Sequence, residues 1–134
     1  MELKTKQFRK RNAILTCLQC THLHPSAEML HEMLSTEHPD ISLATVYRNL
    51  ALFKSQGIIQ SLGTVNGIER FDANVNPHVH FICTQCNAVI DLPQVAVPAQ
   101  LRSTVEEATG GTVSECQLSF TGICQTCCQN EKTA

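Results

Sequence analysis

The sequence predicts an α+β protein, with a winged helix-turn-helix in its N-terminal half and a small α/β module after it. Three observations carry that expectation. Helical periodicity fills three short stretches up to Gly57, alternation of period two then flanks Asn66-Gly67, and two Cys-x-x-Cys pairs bracket mixed strand and helix patterns in the remainder. At 134 residues with 43% hydrophobic content, the chain suits one compact domain or two very small ones.

The first helix is expected over Lys6 to Gln19, with Ile14, Cys17 and Leu18 on one stripe, and His24-Pro25 breaks the helical pattern beyond it. Ser26 is a good N-cap for a second helix that carries Glu28 in its first turn and buries Ala27, Leu30, Met33 and Leu34. Pro39 and Asp40 close the next connection. Ser42 caps a third helix that turns Leu43, Val46, Leu50 and Phe53 inward and stops at Gly57. Strands at Ile58 to Val65 and Ile68 to Asp72 meet at Asn66-Gly67, a pair suited to a type I′ turn because both central residues need positive φ. Three short helices and a hairpin give a winged helix over residues 1–72, and the polar stretch 73–78 reads as a linker. In residues 79–134, strands are expected at Val79 to Cys83, Val89 to Leu92 and Val113 to Phe120. A helix near Pro98 to Ala108 should end at Gly110-Gly111, and the tail after Cys128 should fray.

Charge divides the chain in the same place. The net charge is −2, yet residues 1–72 hold eight cations against seven acids and residues 73–134 only two against five. Five of the eight cations fall between Lys4 and Arg11, a cluster that is either a solvated helix end or a phosphate contact. Five Phe, one Tyr and no Trp are too few for a base-stacking platform. No apolar run is long enough for a membrane helix and the N-terminus runs into charges, so a cytoplasmic protein is expected, without membrane partners.

On the third helix, Ala44, Thr45, Arg48 and Ala51 point outward with Tyr47 on the flank. Small side chains let a helix enter the major groove closely, Arg can bridge guanine O6 and N7, and Tyr can reach phosphate. The same face also fits an ordinary solvated helix.

Eight cysteines are the compositional anomaly, and in a reducing compartment paired thiols serve metals more often than disulfides. Cys83-Thr-Gln-Cys86 and Cys124-Gln-Thr-Cys127 supply four thiolates, which close the tetrahedral shell of a structural Zn(2+) with no open position. A redox dithiol or unliganded thiols are the alternatives. Cys17 and Cys20 share the spacing, but Cys17 sits on the apolar stripe of the first helix and is expected to pack there. Cys116 and Cys128 have no evident partners.

A second donor set lacks sulfur. A strand through His78-Val79-His80 puts both imidazoles on one face, about 7 Å apart at Cα and near enough to chelate one ion. Asp72 ends the wing, Asp91 lies on the next strand, and His24 precedes Pro25. If His24, Asp72, His78, His80 and Asp91 converge, three nitrogens and two carboxylates suit Fe(2+), Mn(2+) or Co(2+) better than Cu(I).

The run Ser42-Leu-Ala-Thr-Val-Tyr-Arg-Asn-Leu50, then Arg70-Phe-Asp72, His78-Val-His80-Phe-Ile-Cys83-Thr-Gln-Cys86 and Cys124-x-x-Cys127 resembles the ferric uptake regulator superfamily over nearly the whole chain. The resemblance implies a homodimeric, metal-dependent repressor that binds double-stranded operator DNA, with residues 79–134 as a zinc-containing dimerisation domain. Its peroxide-sensing branch carries His, Asp, His, His and Asp where this chain has His24, Asp72, His78, His80 and Asp91. It implies Fe(2+) or Mn(2+) at that site and, in the iron form, oxidation of His24 or His78 by peroxide. An iron- or zinc-responsive repressor that senses metal availability is the alternative. The run Lys6-Gln-Phe-Arg-Lys-Arg11 departs from the family pattern, and a sensor consumed by its own signal is not an enzyme. A thiol oxidoreductase would need Cys17 at a helix N-terminus, where it is not.

Overall fold

The computed structural model describes residues 2–75, 78–114 and 116–133, which fall into two units, Met1–Val75 and Asn76–Ala134. Asn76 and Pro77 of the expected linker, Glu115 of the expected third strand and the side chain of Lys4 lie outside the described residues.

In the first unit, helix α1 (Glu2–Gln19) buries Ile14 and Leu18, with Cys17 half-buried at the edge of the same stripe. Helix α2 (Ala27–Leu34) starts where the Ser26 hydroxyl accepts the Met29 N–H at 3.2 Å, satisfying one of the donors a helix start leaves open. Met33 departs from expectation. An eight-residue helix presents only a narrow stripe, here Ala27, Leu30 and Leu34, and Met33 falls beside it, 39% exposed, over the groove that also exposes Cys20.

Helix α3 (Leu43–Ser55) is capped by Ser42, whose hydroxyl accepts the Thr45 N–H at 3.1 Å. Val46, Leu50 and Phe53 are buried, while Leu43 in the first turn is 36% exposed. Its end is a Schellman motif: Ile58 N–H reaches the Phe53 carbonyl at 3.0 Å, Gly57 N–H reaches the Lys54 carbonyl at 3.1 Å, and Gly57 takes the required left-handed φ of 73°. That closure uses Ile58, so strand β1 (Gln60–Val65) begins two residues later than the alternation suggests. It pairs antiparallel with β2 (Ile68–Asp72) through Asn66 and Gly67, at φ 53° and 78° as a type I′ turn demands. The core gathers Ile14, Leu30, Ile41, Val46, Leu50, Phe53, Ile59 and Phe71.

The second unit holds strands β3 (Val79–Cys83), β4 (Val89–Leu92) and β5 (Ser119–Gly122) with helices α4 (Ala99–Thr109) and α5 (Gln125–Thr133). The sheet order is β4-β3-β5, with β3 antiparallel to β4 and parallel to β5. A parallel neighbour needs a crossover, and the segment carrying α4 supplies it. Gly122 lies flat on the Phe81 ring, where a Cβ would stand 3.1 Å from Cζ. Two expectations are corrected by the second unit. The strand foreseen from Val113 to Phe120 shrinks to β5, because the Val113 N–H donates to Glu106 Oε2 at 3.0 Å and its carbonyl accepts from the Arg102 guanidinium at 2.8 Å, groups of α4. The tail after Cys128 is helical through Thr133, continuing a helix whose Cys128 N–H bonds the Cys124 carbonyl at 2.9 Å.

Candidate metal centres and nucleic-acid interface

Four cysteines come together in the second unit. Cys83 ends β3, Cys86 sits in the tight turn to β4, and Cys124 and Cys127 lie at and just inside the start of α5. Cys83 and Cys127 Sγ are 3.7 Å apart, as are Cys86 and Cys124 Sγ, and all four lie within 4.8 Å of one another. Four sulfurs at zinc bond lengths of about 2.3 Å around a tetrahedral ion stand about 3.8 Å from each other, so this spacing is that of a zinc shell. Backbone supports the charge: the N–H groups of Cys86 and Cys124 both point to Cys83 Sγ at 3.4 Å. They pull the Cys83 thiol down to about 6. The Cys127 thiol, sharing hydrogen bonds with Cys124 and its neighbours, is pushed up to about 12. Sulfurs this close cannot all be thiolates without a cation among them, and the donor set fits structural zinc.

The nitrogen and oxygen donors divide between the units. In the second, the β3–β4 register sets His80 opposite Asp91, and His78 stands just before β3 with its ring centroid 4.2 Å from that of His80. Asp91 Oδ1 lies 3.2 Å from His78 Nε2 and 3.1 Å from His80 Nε2, so the three side chains converge through the atoms that ligate cations. In the first unit, His24 Nδ1 is 3.5 Å from Asp72 Oδ2 and both side chains are buried. The sequence named these five residues as candidate donors, and nothing in it points to what holds His24. It has a left-handed φ of 50°, unusual for a residue with a Cβ, and Arg70 from β2 donates to its carbonyl and, at 2.8 Å, to that of Leu23. These partners lie more than 40 residues apart in sequence, and no local pattern announces such a contact.

On α3, Ala44, Tyr47, Arg48 and Ala51 are exposed and Thr45 is half-buried. The Thr45 hydroxyl bonds the Ser42 cap at 2.9 Å and accepts from Arg48 at 3.3 Å. Tyr47 donates its hydroxyl to Glu28 of α2, a partner the sequence did not suggest. That bond holds the Glu28 carboxyl below its usual range and the Tyr47 phenol above its own. Beside them runs a groove of about 600 Å³ lined by Lys6, Lys10 and Arg11 of α1 and by Arg48 of α3. Arg9 leaves the cluster to pair with Asp40 and, at 3.2 Å, His38. Cys17 is half-buried, and burial with nearby Cys20 and Glu37 raises its thiol; Cys20 and Cys116 are exposed, and Cys128 points its thiol to the Ile123 carbonyl at 3.6 Å.

The model of the ferric uptake regulator family matches residues 2–121. The chain belongs to that family. Among curated relatives, the peroxide-responsive repressor PerR of Staphylococcus aureus (strain USA300) is 35% identical over 120 residues, covering 88% of this chain and 79% of the relative. The solved Campylobacter jejuni peroxide stress regulator is 28% identical with a TM-score of 0.79, covering 94% of each chain. The ferric uptake regulator of Francisella tularensis, solved with iron, is 27% identical with a TM-score of 0.71, covering 88% of this chain and 90% of that one. Within that family's architecture, the first unit is the winged helix and the second the four-cysteine α/β module. Among the described residues, no helix is long and apolar enough to cross a membrane.

Proposed function

We propose that this chain is a metal-dependent repressor which binds operator DNA as a homodimer, and that peroxide releases it from DNA by oxidising a ligand histidine of the iron form. In this reading residues 1–72 contact DNA, residues 79–134 dimerise around the zinc module, and the protein acts in the cytoplasm without turning over a substrate. The observation that carries it is the donor chemistry: His78 and His80 share Asp91, and His24 stands beside Asp72. We assign these five side chains to one regulatory ion. Three imidazoles and two carboxylates suit Fe(2+) or Mn(2+), and a site with donors in both units links metal occupancy to their relative angle. In a dimer that angle sets the spacing of the two α3 helices, and so the match to two half-sites one helical turn apart.

Bound Fe(2+) supplies one-electron reduction of peroxide, which Mn(2+) does not readily do. The hydroxyl radical formed beside hydroxide would add to an imidazole carbon of His24 or His78, the positions that match the oxidised residues of the peroxide branch; the second electron would pass to the ferric ion and the proton to hydroxide, and the oxidised ring would lose its grip as a donor. The reading is tested with His78→Ala. Operator binding by this variant should no longer respond to Mn(2+), while its zinc content stays at the wild-type level because Cys83, Cys86, Cys124 and Cys127 are untouched. Unaltered metal dependence in a gel-shift titration would remove His78 from the site.

For DNA, the reading assigns Ala44, Thr45 and Arg48 to the major groove, and Tyr47 on the flank and the α1 groove cations to the phosphate backbone. Arg48→Ala is expected to cost about 1–3 kcal/mol at one base position and to relax preference there. A systematic operator series with the same preference for wild type and variant would show that Arg48 touches only phosphate.

A further inference from the structure

The tripeptide Arg70-Phe71-Asp72 contacts the loop that presents His24 at consecutive points. Arg70 is 6% exposed in the middle of β2, yet its guanidinium reaches the α1–α2 connection, donating from Nε to the His24 carbonyl and from its terminal nitrogen to the Leu23 carbonyl at 2.8 Å. The Phe71 N–H continues the series to the Pro25 carbonyl at 3.0 Å. Asp72 then sets its carboxylate 3.5 Å from the His24 imidazole. The carbonyls of residues 23, 24 and 25 are thus all taken up by neighbouring groups of β2.

His24 needs such restraint. It holds a φ of 50° and precedes proline, which further narrows its allowed conformations. A residue in that region returns to ordinary backbone geometry unless its surroundings over-determine it, and the change would swing the imidazole away from Asp72. Arginine is suited to the task. Its planar guanidinium presents several donors in a fixed fork and stays charged even though burial lowers its basicity. A lysine has the charge without the fork.

We propose that Arg70 is the positioning residue of the regulatory metal site: it holds the His24–Asp72 donor pair in its ligating arrangement before the ion arrives, and so sets the affinity for that ion without touching it. This rests on the proposed assignment of His24 to the metal. Charge and position predict opposite signs. A buried cation near a divalent ion weakens binding by repulsion, so Arg70 acting as a charge would make Arg70→Gln bind more tightly. Arg70 acting on geometry makes the same variant bind more weakly.

The test uses the full chain with its zinc in place, and follows free Mn(2+) by its electron paramagnetic resonance signal during titration. Arg70→Gln should weaken Mn(2+) binding at least about tenfold, a factor equivalent to about 1.4 kcal/mol. Arg70→Lys should fall between it and wild type, and zinc content should not change. The deciding measurement is Arg70→Gln made in the His24→Ala background, where it should add little, because a residue that works through His24 has nothing left to position. Equal losses in both backgrounds, or tighter binding by Arg70→Gln, overturn the proposal. Should Arg70→Gln fail to fold, the same comparison is made with Arg70→Lys, with equal losses again counting against it. If His24→Ala alone leaves Mn(2+) affinity unchanged, the metal assignment of His24 fails, and the proposal with it.

Discussion

Cys124→Ser is expected to unfold the second unit while leaving the first intact. The reason is the poverty of the second core. Among the described residues, its buried hydrophobic side chains are Val79, Cys83 and Val89, and α4 buries none at all. The strand β5 pairs with β3 over only four residues, and its return to the sheet is anchored where Cys124 N–H meets Cys83 Sγ and Thr84 N–H meets the Gly122 carbonyl at 2.8 Å. A unit of this size buries only about 60% of the surface its unfolded chain exposes. Zinc binding drives the folding of small metal domains by about 10–16 kcal/mol, as large as the whole stability of an ordinary domain at about 5–15 kcal/mol. Losing one thiolate should therefore cost most or all of the stability of this unit. The first unit keeps the cluster around Ile14, Leu30, Leu50 and Phe53 and should stay protected. Amide hydrogen exchange on the full chain separates the two outcomes. Persistent protection of β3 and β5 in the zinc-free variant would show that the sheet holds itself together.

Local chemistry was legible in the sequence wherever neighbouring residues decide it. Ser26 and Ser42 cap their helices, Asn66-Gly67 turns the wing, and β3 and β4 run over the residues that alternation and the Cys-x-x-Cys pair mark out. The spacing His78-x-His80 also carries its consequence directly, since residues two apart on extended chain share a face even though β3 itself starts at Val79, and the register then brings Asp91 opposite His80. Long-range compensation stayed hidden. Met33 has the period of a core residue, and its exposure depends on how few positions a two-turn helix can bury. Val113 has the look of a strand residue, yet its backbone bonds go to Glu106 and Arg102 of the preceding helix. Nothing near His24 foretells a left-handed backbone held by an arginine of β2, or near Tyr47 an acceptor on α2. Candidate donors can be read from a sequence; the groups that aim them mostly cannot.

Peroxide should separate the iron and manganese forms of this protein on the same operator. Both ions fit a shell of three imidazoles and two carboxylates, so both forms should bind DNA before exposure. Micromolar peroxide should then abolish binding by the iron form alone. The expected loss is large, because specific operator binding commonly exceeds non-specific binding by about 10³–10⁷, and a winged helix that can no longer hold its half-site spacing falls to the lower level. A loss of about 100-fold or more in affinity, at one fixed salt concentration, would establish the effect. The thiols offer a competing route, since Cys20 and Cys116 are exposed, but a thiol route would act on both metal forms and reverse with a reductant. Oxidation at His24 or His78 would be confined to the iron form, would survive reduction, and would add the mass of one oxygen atom to a peptide containing one of these residues. Equal loss in the manganese form would move the sensor from the histidines to sulfur. Undiminished binding by the iron form would leave metal availability as the signal, with the same five donors reporting how much iron or zinc the cell holds.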